Sequence, residues 1–138
     1  MVEVGYPDWL ANKVGVYEIT DWSAFAGLSK SFIVNFHTSA GSMDFTTVYT
    51  VPSNKVFLLT DLAIVRLNNV GTAICYADCY KGADLIYLAF IAGQQGAMAI
   101  FKTPKVVPSG WTIRVYVYNV ESTDADYWVV LGGLEVEV

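Results

Sequence analysis

The sequence predicts an all-β protein: a jelly-roll-like β-sandwich of about eight strands, behind an irregular or short-helical N-terminal segment. Runs rich in Val, Ile, Thr, Tyr and Phe recur from residue 31 to the end, at spacings of about 8–12 residues. Gly, Pro, Asn, Asp or Ser punctuate most of these runs, and almost none carries a helical apolar period. The 138 residues are 54% hydrophobic and only 15% charged, which suits one domain with a real core and argues against disorder and coiled coil.

Residues 1–30 differ from the rest and are read as an arm. Tyr6-Pro7-Asp8-Trp9-Leu10 is irregular. Residues 20–26 suit a short helix capped by Thr20 or Asp21 and ended by Gly27. Trp9, Tyr17, Trp22 and Phe25 are its large anchors. Two readings stand: they cover one end of the core, or they dock on a neighbouring subunit.

Residues 31–138 form the sandwich domain. The first strand covers 31–37, with Phe32, Val34 and Phe36 on one face. After the loop Ser39-Ala40-Gly41-Ser42, residues 45–51 are rich in Thr, Val and Tyr, which fit a pleated surface. Pro52-Ser53-Asn54 turns the chain into a long strand over 56–66. A turn over 67–71 leads to a strand over 72–80, and Lys81-Gly82-Ala83-Asp84 makes a tight hairpin to 85–92. Gly93-Gln94-Gln95-Gly96 connects to a strand over 97–102, and Pro108-Ser109-Gly110 opens 111–119. There Ile113, Val115 and Val117 alternate cleanly with Arg114, Tyr116 and Tyr118. Residues 127–138 close the chain as one strand, with a bulge expected at Gly132-Gly133. Val51-Pro52-Ser53 and Val107-Pro108-Ser109 echo each other, as turn chemistry used twice or as equivalent corners of a two-sheet fold.

Chemistry is sparse. His37 is the sole histidine and lacks a partner at a nucleophile-motif spacing, so it is read as structural or interfacial. Cys75 and Cys79 on one strand are about 13 Å apart at a rise of ~3.3 Å per residue. A disulfide needs Cα atoms within about 7 Å, so they are read as buried thiols unless a bulge or an intersubunit bridge intervenes. One His and two Cys do not make a zinc site. The Gly93–Gly96 connection has no helix to hold a phosphate. Glu121, Asp124 and Asp126 are a solvated loop or a calcium site without EF-hand spacing. The expectation is no enzyme, no cofactor and no metal.

Eight basic residues against thirteen acidic ones give a net charge of −5, which disfavours nucleic acid. The start has no basic segment leading an apolar one, so no signal peptide is expected. The longest uncharged stretch, residues 85–101, holds Gln94-Gln95 and is too short to span a membrane. A soluble chain made in the cytosol is expected. Tyr76 and Tyr80 flank Asp78 on one face of their strand, and Tyr116 and Tyr118 share a face with Arg114. With Trp111, these aromatics suit sheet packing, a subunit interface or a glycan site. High hydropathy with few charges favours the interface and a symmetric homo-oligomer.

The segment Phe45-Thr46-Thr47-Val48-Tyr49-Thr50-Val51-Pro52-Ser53-Asn54-Lys55 runs into Thr60-Asp61, and Val107-Pro108-Ser109-Gly110-Trp111 opens a later strand. Together they resemble small jelly-roll-like β-sandwich structural proteins of phage and archaeal-virus particles, over residues 45–138. The resemblance implies a virion component: a decoration, turret, spike or tail-tip subunit, commonly a homotrimer assembled in the host cytoplasm. Its partners would be itself, other virion proteins and a host-surface glycan. No catalytic residue comes with it. The alternatives are a carbohydrate-binding module using exposed Tyr and Trp, and a small cupin-like enzyme. Pro108-Ser109-Gly110 has the turn of a cupin motif, but Ile113 stands where a ligand is needed.

Overall fold

Alternation of apolar and polar residues builds a two-layer protein. The computed structural model describes residues 29–138. The eight strands are β1 (Ser29–Thr38), β2 (Met43–Thr50), β3 (Lys55–Arg66), β4 (Thr72–Lys81), β5 (Asp84–Gln94), β6 (Gly96–Val107), β7 (Thr112–Tyr118) and β8 (Ala125–Glu137). They form two four-stranded sheets, ordered β1-β8-β3-β6 and β2-β7-β4-β5, with every pair antiparallel. Every connection except β4–β5 crosses from one sheet to the other. This is the jelly-roll sandwich that the strand spacing predicts. Among the described residues no helix is long and apolar enough to cross a membrane.

The inner faces are filled by every second residue. Phe57, Leu59, Leu62 and Ile64 of β3 meet Val129 and Leu131 of β8, and Ile113, Val115 and Val117 of β7 close the other side. β4 contributes only small residues, Ala73, Cys75, Ala77 and Cys79, leaving room for the large side chains opposite. Both cysteines are free and buried. Burial pushes the Cys75 thiol up to about 12 and the Cys79 thiol up to about 11, so neither offers a thiolate at neutral pH.

The turns follow their residues. Lys81 pairs with Asp84 across Gly82-Ala83, and Gly82 takes the positive φ of +60° that this two-residue hairpin needs. The Val-Pro echo is structural. Pro52 O accepts from Lys55 N at 3.1 Å, and Pro108 O accepts from Trp111 N at 3.2 Å. The two corners also join, Val51 N donating to Trp111 O at 2.9 Å and Gly110 N to Val51 O at 2.8 Å.

Two details differ from the sequence expectation. β6 does not stop at residue 102 but runs through Pro104 to Val107. It lies at a sheet edge, and its register against β3 slips between Leu59↔Lys105 and Asp61↔Ile100. A proline without a ladder donor is tolerated at such an edge bulge. The irregularity expected at Gly132-Gly133 lies instead on β3, at Thr60; β8 pairs with β1 through both glycines without a slip. The glycines are needed for close approach. A Cβ on Gly133 would sit 2.2 Å from Leu58 O and 2.5 Å from the Phe57 ring. One on Gly132 would sit 2.5 Å from an Asp61 carboxylate oxygen.

Polar clusters close both ends. At one, the buried Arg66 donates to Tyr127 Oη at 2.6 Å, Asn119 Oδ1 at 3.2 Å and Asn69 Oδ1 at 2.6 Å. At the other, Glu135 accepts from Tyr49 Oη, from Lys55 Nζ at 3.4 Å and from Lys30 Nζ at 3.5 Å. Burial alone would push the Glu135 carboxyl up, but the Tyr49 hydroxyl and the two ammonium groups outweigh it and hold it below its ordinary value.

Gly133→Ala should therefore destabilise the fold by about 1–3 kcal/mol in urea denaturation, the cost of forced overpacking. Because the folded pKa of Glu135 is depressed, its stabilisation is complete above the unfolded carboxyl value and disappears as pH falls through the folded one. Glu135→Gln should lower stability at pH 7 and flatten the acid limb of a stability–pH profile below about pH 4.5. An unchanged limb would mean that other carboxyls govern acid unfolding.

Candidate functional site

The outer face of the β2-β7-β4-β5 sheet gathers most of the aromatics that the sequence singles out. Strand parity turns Tyr76, Asp78 and Tyr80 of β4 and Arg114, Tyr116 and Tyr118 of β7 away from the core. The register sets Tyr76 opposite Tyr116 and Asp78 opposite Arg114. On the flanking strands Phe45 lies opposite Tyr116, and Phe90 opposite Tyr76. A row Phe45–Tyr116–Tyr76–Phe90 thus crosses all four strands.

Tyr76 and Tyr116 stack with ring centroids 4.1 Å apart and 4° between planes. Phe45 lies 5.4 Å from Tyr116, and Tyr87 lies 6.4 Å from Tyr76. The centre of the row is covered and its rim is open: Tyr116 is 9% exposed, while Phe45, Tyr87 and Phe90 are 59%, 61% and 57% exposed. Burial, then the nearby Asp78 charge, pushes the Tyr116 hydroxyl up to about 12. Beside the stack, Met43, Ile74, Phe90 and Tyr118 wall a depression of about 270 Å³.

The charges on this face are spent on each other. Arg114 Nε and Nη2 donate to the two Asp78 oxygens at 2.9 and 3.0 Å. The guanidinium carbon lies 4.4 Å from the Tyr80 ring centroid and 5.2 Å from that of Tyr116. The hydrogen bond from Arg114 to Asp78 raises the guanidinium above its ordinary value. The face therefore offers rings, the hydroxyls of its tyrosines and an internally neutralised ion pair.

Trp111 lies elsewhere. It shares the inward parity of Ile113 and packs half-buried against the core. Trp9, Trp22 and Phe25 lie outside the described residues. Sequence reading missed Phe45, Tyr87 and Phe90. Phe45 alternates with Met43 and Thr47, a legible signal. Tyr87 and Phe90 are three apart and share a face only because β5 slips by one residue where Ala77↔Ala89 gives way to Asp78↔Tyr87.

Two of the loop carboxylates considered for calcium, Asp124 and Asp126, are engaged with protein groups. Asp126 Oδ1 lies 2.5 Å from His37 Nδ1, and Asp126 Oδ2 accepts from Asn68 Nδ2 at 3.2 Å. Asp124 Oδ1 accepts from Ala40 N at 2.9 Å. Among the described residues no His, Cys, Asp and Glu side chains group in a way that holds a metal ion.

No family model and no curated protein matches the chain. Among known structures it is similar to the pre-peptidase C-terminal domain of a collagenase from Bacillus anthracis, at 17% identity and a TM-score of 0.44, over 75% of this chain and 89% of that one. It is also similar to Eiger TNF from S. frugiperda, at 8% identity and a TM-score of 0.43, over 80% and 94%. The β-sandwich assignment rests on the strand order itself.

Asp78 is 2% exposed and takes both of its hydrogen bonds from Arg114, so removing it leaves a part-buried guanidinium without its partner. Asp78→Ala should cost about 3–5 kcal/mol, and the double variant Asp78→Leu with Arg114→Met should recover most of that loss in thermal or urea unfolding. Equal losses in both would mean that the pair acts through packing alone.

Proposed function

We propose that this chain is a structural subunit of a virus particle that works by self-association, with the aromatic face of the β2-β7-β4-β5 sheet as its contact with a second copy. The observation that carries this reading is the Phe45–Tyr116–Tyr76–Phe90 row, continuous across four strands and open at its rim. Aromatic residues with few exposed charges are what the centre of an interface is made of. Contiguous apolar surface of this kind marks a partner.

The sheet edges support the same reading. β6 carries Lys102, Pro104 and Lys105, which blunt it against strand addition. β5 ends the other sheet and holds no Lys and no Pro. Apolar burial on the face together with strand pairing along β5 would join copies. The virus setting comes from the resemblance at the Val51-Pro52 and Val107-Pro108 corners. A homotrimer on a virion, as a decoration, turret, spike or tail-tip subunit, is the form this reading takes. It assigns the chain no catalytic role. A carbohydrate-binding role for this face is weaker, because its one carboxylate and its one guanidinium, Asp78 and Arg114, satisfy each other.

Light scattering after size exclusion should give a concentration-independent trimer. Phe90→Glu should reduce it to monomer without changing the far-UV circular dichroism. A wild-type monomer at every concentration would overturn the proposal. Deleting residues 1–25 separates the arm from the face: an unchanged mass would assign association to the sandwich alone.

A further inference from the structure

The outer face of the opposite sheet carries a different kind of surface near the start of β8. There Asn35 of β1 pairs with Trp128 of β8, and His37 pairs with Asp126. These four share the outward parity, so they occupy the corners of one square of the ladder. Directly opposed side chains on a sheet start about 5 Å apart, and residues two along a strand about 7 Å apart. With Leu67 beside them they line an open depression of about 430 Å³, within the range of about 300–1,000 Å³ usual for small-ligand sites.

Two of the binding groups here, the Trp128 indole and the Asn35 amide, are unspent, in contrast with the Asp78–Arg114 face. Trp128 is 50% exposed, and its ring and indole N–H have no partner among the described residues. The Asn35 amide is likewise without a partner among them. Asp126 is held in place: His37 Nδ1 lies 2.5 Å from its Oδ1, Asn68 Nδ2 donates to its Oδ2 at 3.2 Å, and its backbone N donates to Asn68 Oδ1 at 2.8 Å. A carboxylate only accepts, so the His37 proton sits on Nδ1. Nε2 is left facing outward, 4.0 Å from Asp124 Oδ2 and too far for a hydrogen bond.

We propose that Trp128, Asn35, His37 and Asp126 form a binding site for a neutral saccharide. The indole supplies a flat apolar face on which the C–H side of a sugar ring stacks. Around it stand an amide that donates and accepts, a fixed carboxylate that accepts, and an imidazole nitrogen turned to solvent, which together match hydroxyl groups. The ligand is neutral because Asp124 and Asp126 stand at the site and no Lys or Arg lines it among the described residues, which repels phosphate, sulfate and acidic sugars. A purely apolar ligand would bury Asn35 and Asp126 without replacing their water. The site lies on the sheet opposite the self-association face, so the two proposals stand or fall separately.

The test is a titration of the full chain with galactose, glucose, mannose, fucose, N-acetylglucosamine, N-acetylgalactosamine and lactose, followed by a neutral-glycan array. The readout is the indole N–H resonance assigned to Trp128 by its loss in Trp128→Phe. One class of sugar should move that resonance and the Asn35 amide together. Trp128→Ala should weaken binding about tenfold or more, as removing an aromatic anchor does, and Asn35→Ala should weaken it too, both at unchanged oligomer mass. Phe90→Glu should leave sugar binding intact whatever it does to the mass. Silence across the array, or a sugar held equally well by Trp128→Ala, overturns the site. A fall in oligomer mass on Trp128→Ala without sugar binding would make this face a protein contact and overturn it as well.

Discussion

The position of β8 between β1 and β3 governs both what is buried and what is presented. A one-residue slip of β8 would turn Tyr127 out and Trp128 in, along with every residue after them. Three features oppose that slip. At one end Tyr127 is tied to the buried Arg66, which reaches on to Asn119 and Asn69. In the middle Gly132 and Gly133 are the only residues that fit beneath Asp61, Leu58 and Phe57. At the far end Glu135 is inward-facing and held by Tyr49, Lys30 and Lys55. Each is specific to one register, because a shifted strand would set a side chain against Leu58 O and bury Glu135's neighbours instead.

The two outer faces solve the desolvation problem in opposite ways. On the β2-β7-β4-β5 face the charged atoms neutralise each other under a roof of rings. A partner arriving there removes apolar surface from water and strips little hydration from charge, which favours a large, dry contact. On the β1-β8-β3-β6 face the polar atoms near Trp128 remain hydrated. A partner there must replace that water group by group, which an apolar protein surface does poorly and a hydroxylated ring does well.

The architecture was legible in the sequence because a half-buried strand writes its face at every second residue. Ile113, Val115 and Val117 are an example, and each is fully buried. Turn chemistry was legible for the same local reason: Gly82 and the two Val-Pro corners fix their own backbone. The bulges were not legible. Thr60, Leu88 and the stretch through Pro104 change parity only because a neighbouring strand continues past them, and nothing local records the neighbour. That is why Tyr87 and Phe90 went unread as one face, and why the irregularity near Gly132 was expected on the wrong strand. The glycines mark close approach, and a bulge is only one reason for it. Trp128 stayed hidden differently: within an apolar run its exposure depends on the outer side of its sheet, and Asn35 and His37 reach it only through a pairing of strands at opposite ends of the described chain.

Separation of the two faces follows from the fold. Packed sheets lie about 10 Å apart, and the buried core layer lies between them, so the two outer faces are separate surfaces. The Asp78–Arg114 pair and the Asn35–Trp128 square therefore lie on opposite faces of one sandwich. His37 adds one asymmetry between them. Its hydrogen bond to Asp126, and then that carboxylate's charge, raise the imidazole above its ordinary value. The protonated pair is favoured below about pH 6.5, and the advantage fades as pH rises through the raised value. In the protonated state Nε2 becomes a donor, and in the neutral state it accepts. The polar pattern of the Trp128 face thus changes with pH.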